Sequence, residues 1–212
     1  MLECSNIACI RGERVIFKNL SFTAKEGSLT LITGKNGSGK TSLLRIIVGL
    51  LPTRFGNVTL NGEKITTSSS CISDITYIGH KNACRENMMV LDALKFWTDC
   101  RKTEELVESA IHFFGFHNIL YTKFRHLSCG WKRKVALARL LISNTHVWLI
   151  DEPFTNLDHN SVELVKNLIL TRVERRGIVL LAGHDPERVF DGAQVIHLNG
   201  NSSVDSSDNQ TM

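Results

Sequence analysis

The sequence predicts an α/β fold with a mixed or parallel sheet at its core, an antiparallel β subdomain and a helical subdomain. Three observations support this prediction. Residues 1–30 alternate between apolar and polar side chains, as antiparallel strands do. A glycine-rich loop at residues 34–41 joins an apolar strand to a helix with apolar periodicity. From residue 137 onward, strand patterns alternate with helix patterns, which is typical of a parallel sheet.

The predicted strands are apolar runs or alternating segments that turn residues separate. Asn61 and Gly62 favour the two positive φ angles of a type I′ turn, so they predict a hairpin. Residues 67–70 are polar and predict a loop. In chain order, the predicted strands are residues 15–17, 20–22, 28–33, 58–60, 64–66, 75–78, 147–150 and 178–181.

The predicted helices repeat their apolar side chains every three or four residues. The first helix begins directly after the glycine-rich loop, at Thr41, and continues to Leu50. The later helices in chain order are residues 90–97, 106–114, 135–142 and 162–173. The first two of these are neighbours in the middle of the chain and predict a helical insert.

Length and composition predict one catalytic unit. The chain has 212 residues, 42% of them hydrophobic and 22% charged, which is ordinary for a globular protein. The single domain is expected to span residues 1–199, with the β subdomain and a RecA-like core at 1–83 and 137–199 and the helical subdomain at 84–136. Residues 200–212 are mostly Ser, Asn and Asp, so we expect a disordered tail.

Charge, cysteine content and hydropathy restrict the partners and the compartment. The net charge is +4 and the basic residues are scattered, so we expect no nucleic acid partner. The six cysteines include no C-x-x-C pair and are expected to be reduced cytoplasmic thiols. Glu3 lies near the start, no apolar core of a secretory signal follows, and no apolar run approaches the roughly 18 residues that span a bilayer. We therefore expect any membrane role to come through a partner.

The glycine-rich loop matches the phosphate-binding pattern G-x-x-x-x-G-K-[ST]. Gly34, Gly37 and Gly39 allow successive backbone N–H groups to turn towards a phosphate, and the following helix adds its free N–H groups. Lys40 is expected to reach the β and γ phosphates, and the Thr41 hydroxyl is suited to Mg²⁺. The predicted phosphate-binding residues are Gly34, Lys35, Asn36, Gly37, Ser38, Gly39, Lys40, Thr41 and Ser42.

Two acids follow the apolar strand at residues 147–150, in the pattern usually called Walker B. The carboxyl ends of parallel strands face the ligand crevice. Asp151 is therefore predicted to hold Mg²⁺, directly or through water, and Glu152 to orient and deprotonate the attacking water. The alternative is a solvated acidic turn that Pro153 closes.

Residues 127–131, Leu-Ser-Cys-Gly-Trp, and the basic run that follows resemble the signature motif of the ATP-binding cassette (ABC) family. The resemblance implies a P-loop NTPase fold of ABC type, with ATP and Mg²⁺ as ligands and ATP hydrolysis as the activity. It also implies a head-to-tail homodimer, in which the signature helix of one subunit points at the γ-phosphate bound by the other. Ser128 alone could equally be a helix N-cap. The implied signature residues are Leu127, Ser128, Cys129, Gly130 and Trp131.

Two further segments resemble motifs of the same family. Asn156, Leu157 and Asp158 follow the Walker B acids as the D-loop does, and the resemblance places them across the dimer interface. His184 follows the last strong strand, 33 positions after Asp151, where the family has its switch histidine. This implies that His184 contacts the γ-phosphate and helps to hold the attacking water, although a lone histidine at a strand end is more often structural.

The sequence departs from the family pattern at several positions. Trp131 stands where the signature usually has Gln, and Cys129 where it has a second small residue. His80 aligns with the Q-loop glutamine that touches Mg²⁺, with Lys81 as an alternative alignment. Arg11 aligns with the aromatic residue that stacks on adenine, so its guanidinium plane either contacts adenine or is a solvated turn residue.

A narrower resemblance is to the branch of the family that serves haem export in bacterial cytochrome c maturation. It rests on the short chain and on five motifs: Tyr-Ile-Gly-His at 77–80, Leu-Ser-x-Gly-Trp with its basic run from 127, Val-Ala-Leu-Ala-Arg at 135–139, Asp-Glu-Pro-Phe-x-Asn-Leu-Asp at 151–158 and Gly-His-Asp at 183–185. The resemblance implies partners that are integral membrane permease subunits of that export complex, release of a haem-loaded chaperone, and a peripheral location on the cytoplasmic face of the inner membrane. Alternatives are the ATPase of another ABC transporter, or a non-transport ABC ATPase acting on DNA or ribosomes. Apolar side chains near residues 88–90 and 96–97 either dock the permease or form the core of the helical insert.

Overall fold

The structure is a computed structural model and describes residues 1–66, 68–183, 190 and 192–199. The strands in these ranges are β1 (Leu2–Arg11), β2 (Arg14–Ala24), β3 (Ser28–Thr33), β4 (Asn57–Leu60), β5 (Glu63–Lys64), β6 (Ile75–Ile78), β7 (Val147–Asp151), β8 (Ile178–Ala182) and β9 (Gln194–His197). The helices are α1 (Lys40–Ile47), α2 (Val90–Arg101), α3 (Leu106–Phe114), α4 (Cys129–Ile142) and α5 (His159–Glu174), with 3₁₀ turns at Ser70–Asp74 and Phe124–His126. The predicted α/β fold is confirmed.

Four strands form an antiparallel sheet in the order β2-β1-β4-β5. Asn61 and Gly62 have φ angles of 51° and 83° between β4 and β5, as the predicted type I′ turn requires. The second strand of this hairpin is shorter than the sequence predicts. Ile16 and Phe17 of β2 border the glycine-rich loop, so this sheet forms one wall of the site described below.

Five parallel strands form the second sheet in the order β6-β7-β8-β3-β9. β8 pairs with β3 on one side and with β7 on the other, so Leu181 faces both Leu31 and Ile150. This order places the ends of β3 and β7 at the same edge, one strand apart. The sequence did not predict β9, because only Ile196 of this edge strand is buried.

The central strands β7 and β8 are buried along their whole length and separate two hydrophobic clusters. Leu149 and Leu180 pack into the cluster that contains α1 and the antiparallel sheet. Ile150 and Leu181 point to the opposite face, where they pack with helices α2 to α5. Because side chains alternate along a strand, Asp151 falls on the same face as Leu149 and therefore faces α1.

Helix α4 begins six residues before its predicted start, because the Ser128 hydroxyl caps it by accepting a hydrogen bond from the Trp131 N–H at 3.3 Å. The helix runs unbroken past residue 136, where the sequence places the end of the helical subdomain, and that division stays a prediction. Residues 200–212, the predicted disordered tail, lie outside the described residues. Within the described part of the chain, every helix is too short or too polar to cross a membrane.

Candidate active site

The glycine-rich loop lies between β3 and α1, at the carboxyl edge of the parallel sheet. Gly34 has a φ angle of 142°, and a Cβ atom there would lie 2.5 Å from the Leu198 carbonyl oxygen and 2.6 Å from Ser38 Oγ. Gly39, with φ of 105°, precedes α1 directly. Larger residues do not fit at Gly34 or Gly39. The inner side of the loop is therefore formed by the backbone itself, as a phosphate-binding loop requires.

Two polar groups of the loop are buried beside this backbone. The Lys40 ammonium group donates hydrogen bonds to the carbonyl oxygens of Gly34 at 2.7 Å and of Lys35 at 3.3 Å. Ser38 Oγ is buried and has no hydrogen-bond partner within the described residues. A buried cation and an unsatisfied hydroxyl in one small loop fit the oxygens of a phosphate group.

Thr41 and Asp151, two of the three residues predicted to hold Mg²⁺, are in direct contact. Thr41 Oγ1 donates a hydrogen bond of 2.7 Å to Asp151 Oδ2. The Asp151 side chain is buried, and burial raises the pKa of its carboxyl group, while the Thr41 hydrogen bond and the charges of His80 and Arg133 act in the opposite direction. A hydroxyl and a carboxylate side by side are the oxygen ligands that Mg²⁺ prefers, so these residues fit the metal.

Glu152 lines the same cavity as the glycine-rich loop. Its backbone is held by a 2.7 Å hydrogen bond from its N–H to the Ala182 carbonyl oxygen, and its side chain accepts one of 3.3 Å from Thr155 Oγ1. Its φ angle of 54° is rare for a residue other than glycine and is common at functional sites. The cavity has a volume of about 350 Å³ and is lined by Arg11, Ile16, Asn36, Gly37, Gly39, Lys40, Thr41, Ser42, Arg45 and Glu152.

Arg11 lies at the edge of this cavity, beside the start of α1. Its guanidinium group donates a hydrogen bond of 3.0 Å to Ser42 Oγ. The structure therefore places Arg11 against the predicted phosphate-binding residues, and its contact with adenine stays a prediction.

The other predicted residues of this site differ in how closely they approach it. His80 follows β6 and is exposed, and its charge interacts with that of Asp151. Lys81 is exposed as well. His184, predicted to contact the γ-phosphate, lies outside the described residues.

Arg133 is a residue of the site that sequence reasoning missed. Its side chain is buried, and it donates hydrogen bonds to the carbonyl oxygens of Asp151 at 2.6 Å, Glu152 at 3.0 Å and Gly79 at 2.9 Å. The sequence indicated only a basic run at residues 132–134. The signal that could have found it is helical spacing, because Arg133 precedes the buried Ala136, Leu137 and Leu140 by three, four and seven positions.

The signature and D-loop segments line a second cavity, of about 390 Å³. A Cβ atom on Gly130 would lie only 2.8 Å from the Asn156 carbonyl oxygen, so the two segments are in close contact. Among the described residues, none lines both this cavity and the first one. The residues that line the second cavity are Ser128, Cys129, Gly130, Trp131, Lys134, Asn156, Leu157, Asp158 and Ser161.

Aromatic, cationic and acidic side chains shape the second cavity. The Lys134 ammonium group lies 3.5 Å from the centre of the Trp131 ring, a cation–π contact. Asp158 caps α5, because its Oδ1 accepts a 2.8 Å hydrogen bond from the Ser161 N–H, and this bond lowers the pKa of the Asp158 carboxyl group. Ser128 and Cys129 are exposed, so the signature faces solvent in the single chain.

Comparison with known proteins shows the family of this chain. Residues 17–155 match the family model described as ABC transporter, which spans the glycine-rich loop, the signature and the Walker B acids. The chain belongs to this family and is an ABC-type ATPase.

The relatives are more specific than the family model. The chain is similar to the cytochrome c biogenesis ATP-binding export protein CcmA of Wolbachia pipientis wMel, with 53% identity over 185 residues, which cover 87% of this chain and 89% of the relative. It is 36% identical over 210 residues to the protein of the same name from Rhizobium etli, covering 96% and 97% of the two chains. A bacterial ABC transporter cassette solved as a dimer has the same fold, with a TM-score of 0.81, 24% identity and coverage of 93% and 94%.

Proposed function

We propose that this chain is the ATP-hydrolysing subunit of a bacterial inner-membrane ABC complex that serves haem export and release of the haem-loaded chaperone in cytochrome c maturation. The observation that carries the catalytic part is the Thr41–Asp151 hydrogen bond, which joins the glycine-rich loop to the Walker B acids around one cavity. The biological part is supported by the relatives, which are named as cytochrome c biogenesis export proteins.

The reaction requires positioning and charge neutralisation more than covalent chemistry. The N–H groups of the loop and the Lys40 ammonium group bind the β and γ phosphates and stabilise the charge that develops on them. Thr41 and Asp151 are the residues that would hold Mg²⁺, which neutralises charge on the β and γ oxygens when bound. Glu152 orients the attacking water and accepts its proton, and His184 is the proposed second contact to the γ-phosphate.

The complete site needs two copies of the chain. Ser128 and Gly130 line a cavity distinct from the one lined by Lys40 and Glu152, and this separation supports a site shared between two chains. We propose a head-to-tail homodimer in which the signature of each subunit closes over the ATP of the other, with the D-loop at the interface. The dimeric cassette of the same fold is a precedent for this arrangement.

The membrane partners are integral permease subunits, and the ATPase is peripheral on the cytoplasmic face. Apolar side chains of the helical insert offer one docking surface, because Phe96 of α2 is 53% exposed, whereas Val90 of the same helix is fully buried in the insert's own core. No nucleic acid partner is proposed, since the net charge of +4 is small and scattered.

The test of this function is Glu152→Gln, purified with an affinity tag from bacterial membranes. We expect ATP binding to persist and turnover to fall at least about 100-fold, because the glutamine does not accept the proton from water. The ATP-bound variant should accumulate as a dimer and retain its permease subunits together with haem, detected by absorbance. Glu163→Gln, at an exposed position of α5, is the matched control and should behave like the parent protein.

Two results would contradict the proposal at different levels. Near-normal turnover in Glu152→Gln would reject the catalytic assignment. If the variant binds ATP, does not turn over and retains the permease subunits without haem, the role in haem export is rejected. The proposed ATPase mechanism is then unaffected.

A further inference from the structure

We propose that Arg133 is a positioning residue for ATP hydrolysis, because its buried guanidinium group fixes the backbone on both sides of Glu152. The inference rests on the proposed role of Glu152 as the group that activates water. It concerns a residue on the signature helix α4, which the family resemblance connects only with the ATP of the second subunit.

The guanidinium group uses all three of its nitrogen atoms. Nη2 donates to the carbonyl oxygens of Asp151 at 2.6 Å and Glu152 at 3.0 Å, and Nε lies 3.4 Å from the Pro153 carbonyl oxygen. Nη1 donates to the Gly79 carbonyl oxygen at 2.9 Å and lies 3.4 Å from Asn82 Oδ1. The residue is 4% exposed, so water does not replace these contacts. Only the planar fork of arginine supplies donors in this many directions at once.

These contacts determine the direction of the Glu152 side chain. The carbonyl groups of Asp151 and Glu152 belong to the two peptide planes that flank the Glu152 Cα atom, so holding both of them fixes its φ and ψ angles. Glu152 has a φ angle of 54°, which residues other than glycine rarely adopt. Such a conformation persists only where the surroundings enforce it, and the Arg133 side chain contacts both planes.

Arg133 also connects three parts of the site. The bond to Gly79 holds the residue that precedes His80, at the end of β6. On α4, Arg133 follows the Ser128 cap by five positions, which is about 7.5 Å along a helix axis. A displacement of helix α4 is therefore transmitted to the backbone of Glu152 through the hydrogen bonds of Arg133 and not through a flexible loop.

The experiment compares Arg133→Lys with the parent chain and with Arg175→Lys. Lysine keeps the charge but replaces the fork with one ammonium group, so we expect kcat to fall about 10- to 100-fold while the KM for ATP changes less than about threefold. The KM is expected to persist because the glycine-rich loop keeps its own contacts. Arg175 is exposed and follows α5 directly, so Arg175→Lys makes the same exchange away from the site and should retain the parent kcat.

A double variant separates positioning from general stability. In the Glu152→Gln background, Arg133→Lys should lower the residual rate little further, because both changes act through the same carboxylate. Active chains are counted by the stoichiometry of ATP binding. Three results would each overturn the proposal. The first is a parent-like kcat in Arg133→Lys, and the second is a fall in rate by the same factor in both backgrounds. The third is a fall in rate that matches the fall in the number of chains that bind ATP. Failure of the proposed function is distinct, since it appears as near-normal turnover in Glu152→Gln alone.

Discussion

At the scale of single residues, Asp151 shows the cost in stability of a buried carboxyl group. It is 1% exposed, and burial raises the pKa of its carboxyl group, with the neighbouring Glu152 acting in the same direction. Thr41, His80 and Arg133 act in the opposite direction on this pKa and offset part of the effect. The folded protein therefore disfavours the charged form of Asp151, which the proposed Mg²⁺ binding would require.

In the protein without nucleotide or metal, the pH dependence of the stability is expected to show that the charged form of Asp151 is disfavoured. For an acid whose pKa is higher in the folded state, the stabilising contribution is present below the pKa of the unfolded state and is lost as the pH rises through that of the folded state. Asp151→Asn removes this loss and keeps an acceptor for the Thr41 hydroxyl. We expect its melting temperature to exceed that of the parent at neutral pH, with a difference that shrinks as the pH falls.

The same variant should lose at least about 100-fold in turnover, because the amide is a poorer Mg²⁺ ligand. Thermal unfolding between pH 4 and pH 8, together with a phosphate-release assay, measures both effects. Asp92→Asn is the control, since it removes a charge from an exposed position of α2. An equal or greater stabilisation by Asp92→Asn would show that the effect belongs to net charge and not to the burial of Asp151.

At the scale of elements, the start of α4 and the loop before α5 depend on each other. Gly130 lies so close to this loop that a Cβ atom would be 2.8 Å from the Asn156 carbonyl oxygen. Ser128 and Asp158 cap the two helices through their own side chains. The signature and the D-loop therefore form one surface, whose shape is set by backbone contact.

Gly130→Ala should separate these two segments. The added methyl group must displace the D-loop backbone, so we expect turnover to fall about 10-fold while ATP binding to the single chain persists. Gly62→Ala is the matched control, because its φ angle of 83° makes alanine unfavourable although no atom lies within 4 Å of the added carbon. We expect that variant to lose about 1 kcal/mol of stability and to keep its turnover. Kinetics and denaturant unfolding of both variants test the distinction, and equal kinetic losses in the two would contradict it.

At the scale of the whole molecule, the described residues form two separate cavities. One is lined by Lys40 and Glu152, and the other by Ser128 and Gly130. The proposed head-to-tail dimer would join these two unlike cavities, which predicts complementation between variants that are inactive alone.

Mixing Lys40→Ala with Ser128→Arg tests this arrangement. Each homodimer lacks an intact site, since one has two defective loops and the other two defective signatures. In a random mixture, half of the dimers combine the two variants, and each of these has one intact site, so we expect recovery of up to about a quarter of the parent turnover. Turnover of the separate and mixed proteins at equal total concentration measures this recovery. A mixture as inactive as its components would contradict shared sites.

Much of the fold and part of the site were predictable from sequence because they depend on near neighbours. The φ angles of the Asn61-Gly62 turn and the strand, loop and helix around Lys40 follow from residue type and short spacing. β9 was not predictable in this way. Its exposed residues carry a weak pattern, and its place at the edge depends on pairing with β3, more than 150 residues earlier.

The sequence by itself determined the chemistry of this protein, namely a phosphate loop, two acids after a buried strand and a signature segment, because those motifs are local patterns. The tertiary structure decided which groups meet. It joined Thr41 to Asp151 across 110 positions of sequence, and it selected Arg133 from three consecutive basic residues to hold the backbone of Glu152. The physical reason is burial: an element's own residues set its local conformation, whereas the solvation and hydrogen-bond partners of a side chain depend on distant segments that pack against it.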